Sequence, residues 1–264
     1  MFMAAETTPS TESPLPPELL ELGVREGMLP DTVRTSLDQD GYAVLPNLIP
    51  QGHLQALRAA FDELSAIEGA SGGQEVHTEQ GTQRLSNLVD KSAAFDVVYR
   101  DPVVLAAVFH VLERPFKLSS LNAREPMRGE GQQNFHADWA PRSADDPFHV
   151  VNSLWLLDAF TKDNGATRLI PGSQKLAGDI GAHIADLKAP HARELRLQAP
   201  AGTVVIFNAH TWHGGTCNVS GERRRVVHCY YTAREHSQQL VQRDHIRAET
   251  LARLSPAERW LLDV

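Results

Sequence analysis

Apolar positions along the chain follow two different periods, and the change comes near residue 116. Before it they recur at three and four. Between Ile49 and Ile67, Leu54, Leu57, Ala60, Phe61 and Leu64 fall on one stripe and predict an amphipathic helix. Pro30–Leu37 predicts a short helix closed by Gly41, and Tyr42–Leu45 a strand. Ala93–Tyr99 and Pro102–Leu112 predict two more helices, the second with proline in its first turn. Gly69–Gln83 is Gly-rich and polar and reads as a loop, with the makings of a lid.

After residue 116 the apolar runs shorten. Phe116–Leu121, Val150–Leu157, Thr167–Ile170, Leu195–Leu197, Thr203–Phe207 and Val226–Tyr231 are separated by Gly, Pro, Asn and Asp, the texture of short strands and turns. Helices first and strands after predict an antiparallel β-sandwich or jelly roll with a helical flank. The expected organisation is a leader without fixed structure over 1–29 and one domain over 30–264. Within that domain a helical flank spans 30–115, a jelly-roll core 116–235 and a helical tail 236–264.

Composition narrows the function. The chain has 264 residues, 42% hydrophobic and 22% charged, and its 25 basic and 33 acidic side chains give −8. That balance argues against a nucleic-acid partner held by its phosphates. No apolar run approaches the ~20 residues of a membrane helix, and the start lacks the basic and apolar regions of a secretory signal. Cys217 and Cys229 are too far apart for a CxxC pair and point to a reducing, cytoplasmic setting. A small-molecule partner is therefore expected, with a monomer and a homodimer both open.

Twelve histidines are more than packing needs. Two stand in His-x-acid triplets, His77-Thr78-Glu79 and His136-Ala137-Asp138, and so many histidines and acids produce such triplets by chance. His77 lies in the Gly-rich loop and reads as a solvated histidine. His136 and Asp138 lie in Asn134–Trp139, where strand alternation would put both on one face, with Phe135 and Trp139 as an apolar wall. Two imidazoles and a carboxylate suit a first-row metal and leave coordination positions open. The third ligand must come from elsewhere. His210 and His213 both qualify, and His213 is followed by two glycines that permit close approach. Arg224, eleven residues on, has the fork that holds a carboxylate in a bidentate pair.

The order His136-x-Asp138, His213, Arg224 resembles the phytanoyl-CoA dioxygenase family of Fe(II)/2-oxoglutarate oxygenases. Trp155 to Ser173 is similar to that family's W…D…NGA…PGSH segment, with Gln174 where histidine is usual, and Asp40–Leu45 resembles its "DGYVVL" strand. The resemblance runs over roughly residues 30 to 235. It implies a mainly β fold with flanking helices around a double-stranded β-helix, the cupin-like jelly roll.

The resemblance also implies roles. His136, Asp138 and His213 match the iron triad, Arg224 the anchor of the far carboxylate of 2-oxoglutarate, and Trp155 a tryptophan lining the cosubstrate pocket. Gly215 stands where the family often has Ser or Thr, so Thr216 is expected to substitute. On the strand Leu118–Arg124, Asn122 is expected at the cosubstrate and Arg124 at either ligand. Arg84, at the cleft rim, and Trp139 are expected to meet substrate. The cofactors implied are Fe(II), 2-oxoglutarate and O₂, with ascorbate an aid in vitro. The activity implied is hydroxylation of an unactivated C–H bond in a natural product, amino-acid derivative or acyl thioester, with succinate and CO₂ released. Halogenases of this class replace the carboxylate with Ala or Gly, so Asp138 favours hydroxylation, with desaturation and ring closure still open. Two rivals stand beside it: a jelly-roll metal or ligand-binding module without redox turnover, and a metal-dependent hydrolase or isomerase.

Overall fold

The computed structural model describes residues 15–264, and the part of the expected leader before Leu15 lies outside it. From Leu15 onward the leader is part of the fold. Helix α1 (Pro17–Glu21) begins at a proline, and Leu19, Val24 and Leu29 are buried in the main core, so the structured chain starts well before residue 30. Helix α2 (Asp31–Asp40) ends at Gly41, whose φ of 79° closes the helix with bonds back to Ser36 and Leu37. The predicted long helix is α3 (Gln51–Glu68), with Leu54, Leu57, Ala60 and Phe61 buried. The segment read as one helix over Ala93–Tyr99 divides into a 3-10 turn, Ala93–Phe95, and α5 (Asp96–Tyr99), which follows α4 (Leu88–Lys91). Helix α6 (Pro102–Leu112) is capped by Asp101, whose Oδ1 accepts from the amides of Val103 and Val104 at 3.0 and 3.1 Å.

Nine strands build two sheets among the described residues. They are β1 (Tyr42–Leu45), β2 (Thr82–Leu85), β3 (Phe116–Pro126), β4 (Val150–Leu156), β5 (Thr167–Leu169), β6 (Leu195–Arg196), β7 (Val204–Asn208), β8 (His213–Gly215) and β9 (Val226–Ala233). The larger sheet runs β1-β7-β4-β9-β3-β2 and the smaller β6-β5-β8, with antiparallel neighbours throughout. Together they form a double-stranded β-helix with flanking helices. Strand β2 was hidden in the sequence because its first two residues close the polar loop.

The period of two sorts the larger sheet's side chains between two environments. Val151, Trp155, Val204, Ile206, Val227, Cys229 and Tyr231 face the helices and join the main core with Leu57, Phe61 and Leu105. Leu154, Val205 and Phe207 face inward between the sheets. Each fully buried Leu, Phe or Val contributes about 1.5–3 kcal/mol by leaving water, so the helix-covered face anchors the fold and frees the inner face for polar residues. A register shift between Leu118 and Ser120 on β3 leaves Ser120, Asn122 and Arg124 lining the interior. The C-terminal tail is helical at a 3-10 turn, Gln242–Asp244, and at α7 (Ala248–Arg253) and α8 (Pro256–Leu262), the last opened by a Ser255–Glu258 capping box.

Candidate active site

The smaller sheet brings together residues that are far apart in sequence. His136 and His213 exchange backbone bonds, each amide donating to the other's carbonyl at 2.9 Å. The strand expected over Asn134–Trp139 reduces to this one bridge, because the Asp138 amide donates to Ala209 instead and the chain turns away. The side chains converge all the same. Asp138 Oδ1 lies 3.7 Å from His136 Nε2 and 3.6 Å from His213 Nε2.

The tautomers follow from the partners. Nδ1 of His136 bonds the carbonyl of Asn134 and Nδ1 of His213 that of Thr211, both at 2.9 Å. A carbonyl only accepts, so each Nδ1 carries the proton and each Nε2 turns a lone pair toward the carboxylate. Burial pushes His213 down to about 4, which keeps it neutral at physiological pH. Lone pairs facing an anion repel unless a cation stands between them. Donors about 2.1 Å from one divalent ion lie on the order of 3–3.5 Å apart, close to the spacing here. Two imidazoles and a carboxylate thus fit a first-row divalent metal. Asp138 is steadied by Asn152, whose Nδ2 donates to Oδ2 at 3.3 Å, and by Tyr230, whose hydroxyl donates to its carbonyl at 2.8 Å. The Phe207 ring packs 4.8 Å from that of His213.

The three donors sit in a cavity of ≈ 210 Å³ whose other end is basic, with Arg84, Arg124 and Arg224 all lining it. Arg224 is 1% exposed and has no ion-pair partner among the described residues. It donates to the carbonyl of Gly165, stacks 4.7 Å over Phe160, and leaves Nε buried without a partner. Burial, then the charge of Arg124, drives its pKa well down. A buried guanidinium in that condition calls for an anion. Asn122 also lines the cavity, donating to Ser120 at 3.1 Å with its carbonyl oxygen unpartnered.

The family description for phytanoyl-CoA dioxygenase matches residues 37–226. The chain belongs to the phytanoyl-CoA dioxygenase family. Dioxygenase cdmA of Talaromyces verruculosus is 28% identical over 234 residues, covering 78% of this chain and 75% of that one. Among solved structures, HygX from Streptomyces hygroscopicus with nickel and 2-oxoglutarate bound shares the fold at a TM-score of 0.64 and 16% identity, over 80% of this chain and 89% of its own. EctD from S. alaskensis with bound Fe does so at 0.65 and 19%, over 78% and 77%.

Several residues picked from the phytanoyl-CoA dioxygenase pattern lie elsewhere. Trp155 points to the helix side, where its indole donates to Ser153 at 3.1 Å, and Asn152 and Leu154 take the cavity face by alternation. The Thr216 hydroxyl is bound to the carbonyl of Ala166 at 2.7 Å, and Thr167 lines the cavity instead. Trp139 stacks 5.1 Å from His149, against His236 and His210, and lines not this cavity but an adjoining one that also borders His136. His210 accepts the His149 amide at 3.0 Å, and burial pushes its pKa down to about 3. His149, Glu235 and His236 form a second donor group, but Arg114 Nη2 already hydrogen-bonds His149 at 3.0 Å and its Nε lies 3.2 Å from the Glu235 carboxylate as an ion pair, so a guanidinium already serves that group.

Sequence reasoning missed Asn152, Tyr230, His228, Gln133 and Glu79. Counting by twos along β9 from Arg224 reaches His228 and Tyr230, so that signal was present. The one local mark on Glu79 is its place in the His77-Thr78-Glu79 triplet, which does not tell that its loop folds inward against β3. Its carboxylate accepts from Arg124 Nε and Nη2 at 2.8 and 2.6 Å, and its neighbour His77 is solvent-exposed, as its loop position implied, while also bordering the cavity.

No helix among the described residues is long and apolar enough to cross a membrane.

Proposed function

We propose that this chain is an Fe(II)- and 2-oxoglutarate-dependent oxygenase that hydroxylates an unactivated C–H bond of a small organic molecule. The observation that carries it is the pairing of donor sets in one cavity: the imidazole lone pairs of His136 and His213 converge with the Asp138 carboxylate in an arrangement that suits a cation, and the buried Arg224 guanidinium, with Nε unpartnered, suits an anion. Iron bound at one end and the far carboxylate of 2-oxoglutarate at the other would satisfy both. HygX, of the same fold, has been solved with nickel and 2-oxoglutarate, which supports the same ligand pair here.

When bound, iron and 2-oxoglutarate supply oxidative decarboxylation coupled to C–H oxidation, with succinate and CO₂ released. The chain's own residues do the positioning. His136 and His213 present Nε2 because Asn134 and Thr211 hold Nδ1. Asn152 occupies one oxygen of Asp138 and leaves the other for the metal. Arg224, fixed by Gly165 and Phe160, sets the depth to which a dicarboxylate enters. Leu154 and Phe207 give the cavity apolar walls, beside which an ion pair is less screened than in water. A carboxylate at residue 138 leaves no vacancy for a halide, which favours hydroxylation over halogenation.

Anaerobic protein with Fe(II) and 2-oxoglutarate should show a weak visible charge-transfer band. Arg224→Gln is expected to lose that band at 2-oxoglutarate concentrations that saturate the wild type. Tight 2-oxoglutarate binding that survives Arg224→Gln, or zinc binding with no band, would overturn the reading.

A further inference from the structure

The cavity holds more positive charge than the proposed cosubstrate accounts for. Arg84 and Arg124 are direct cross-strand partners on β2 and β3, 8% and 2% exposed. Like charges placed opposite one another destabilise a sheet pair. Between them stands one carboxylate, Glu79, and it serves them unequally. Arg124 holds both its oxygens at hydrogen-bond distance, whereas Arg84 reaches only one, at 3.4 Å. Arg84 Nε is buried with no partner, and the residue lines the cavity. His77 does not offset the imbalance, since burial and then Arg84 push its pKa down. With Asp138 assigned to a metal and Arg224 to 2-oxoglutarate, two guanidiniums share one carboxylate.

Glu79 is also the one member of this group that does not stand on a strand. It lies between Gly73 and Gly81, whose φ values of 90° and 67° suit glycine, and its side chain is one-fifth exposed. The arginines are fixed by the sheet, and their anion is on a loop.

We infer that the substrate carries a carboxylate, which Arg84 and Arg124 receive in competition with Glu79. The inference rests on the proposed oxygenase reading. In the absence of substrate Glu79 occupies the position, limiting the cost of two buried cations. A carboxylate entering from solvent completes Arg84, and the planar fork that already grips Glu79 on Arg124 suits it.

Benzoate and benzamide, alike in shape and different in charge, are the probes. Each is titrated calorimetrically into anaerobic protein carrying Fe(II) and 2-oxoglutarate. The wild type is expected to prefer benzoate. Glu79→Gln should tighten benzoate by about tenfold, the size of one charged hydrogen bond, and leave benzamide unmoved. Arg84→Gln should erase the preference and weaken benzoate at least about tenfold more than 2-oxoglutarate. Arg84→Lys, which keeps the charge, should retain the preference and guards against a misfolded Gln variant. Equal losses of benzoate and 2-oxoglutarate in Arg84→Gln would give Arg84 to the cosubstrate and overturn the inference. So would benzamide binding as well as benzoate, or no charge preference in either the wild type or Glu79→Gln. A failed oxygenase reading looks different: no 2-oxoglutarate band in the wild type, with benzoate selectivity still measurable on metal-free protein.

Discussion

The chain spells the same three-residue pattern twice, and the two copies end in different chemistry. In His136-Ala137-Asp138 both side chains turn to one point and meet His213, brought there by the smaller sheet. In His77-Thr78-Glu79 the carboxylate turns to Arg124 and Arg84, and the imidazole has no such company. The spacing is identical, so it is not what decides. What decides is the partner that the distant chain delivers: a neutral imidazole with a free lone pair in one case, a buried guanidinium in the other. The first copy converges on a point that suits a metal cation, and the second already faces two guanidiniums.

Removing the acid from each copy should therefore give opposite results. Asp138→Ala is expected to weaken Fe(II) binding by more than about 100-fold, beyond the loss at a supporting residue, and to end succinate release. Glu79→Ala should keep its iron. Equilibrium dialysis with Fe(II) measures both. Retention of a full complement of iron by Asp138→Ala, or its loss from Glu79→Ala, would break the contrast.

A smaller effect tests whether the first copy is held in place from outside. Asn152 donates to the Asp138 oxygen that faces away from the imidazoles. Asn152→Ala should lower iron affinity about 10–100-fold, the usual range for a group that orients a ligand. An unchanged affinity would mean the 3.3 Å contact is incidental. The companion substitution Trp155→Phe, on the opposite face of β4, should leave iron affinity alone.

The same strand shows how far the sequence could be read. Its existence was legible, as were β1, α3 and the helices-then-strands order, because apolar periods mark them directly. Its facing was not: a tryptophan that looks like a pocket wall packs against helices, and the neighbouring asparagine and leucine line the cavity. Alternation tells which residues share a face but not which face is the interior. That His136, Asp138, His213 and Arg224 share one cavity was legible because their order along the chain is specific. Thr216 failed because a backbone carbonyl nearby claimed its hydroxyl. The triplet named Glu79 but not its role, since a loop's fold depends on the guanidiniums that await it, 45 residues downstream in the case of Arg124.

The smallest predicted effect concerns that loop. Burial alone would raise the Glu79 pKa, but the hydrogen bonds and charge of Arg124, with Arg84, outweigh it and hold the carboxyl below its usual range. A carboxylate whose folded pKa is depressed binds its proton more readily when unfolded. Its contribution is complete above the ordinary carboxylate pKa and fades as pH falls through the folded value. Glu79→Gln should therefore cost about 1–3 kcal/mol of stability at neutral pH and progressively less in acid. Urea midpoints of the two proteins, measured from about pH 7 to about pH 3, should converge on the acid side. A gap that is constant across that range would mean Glu79 acts by packing rather than charge. The second triplet would then be no more than the solvated loop that its sequence implied.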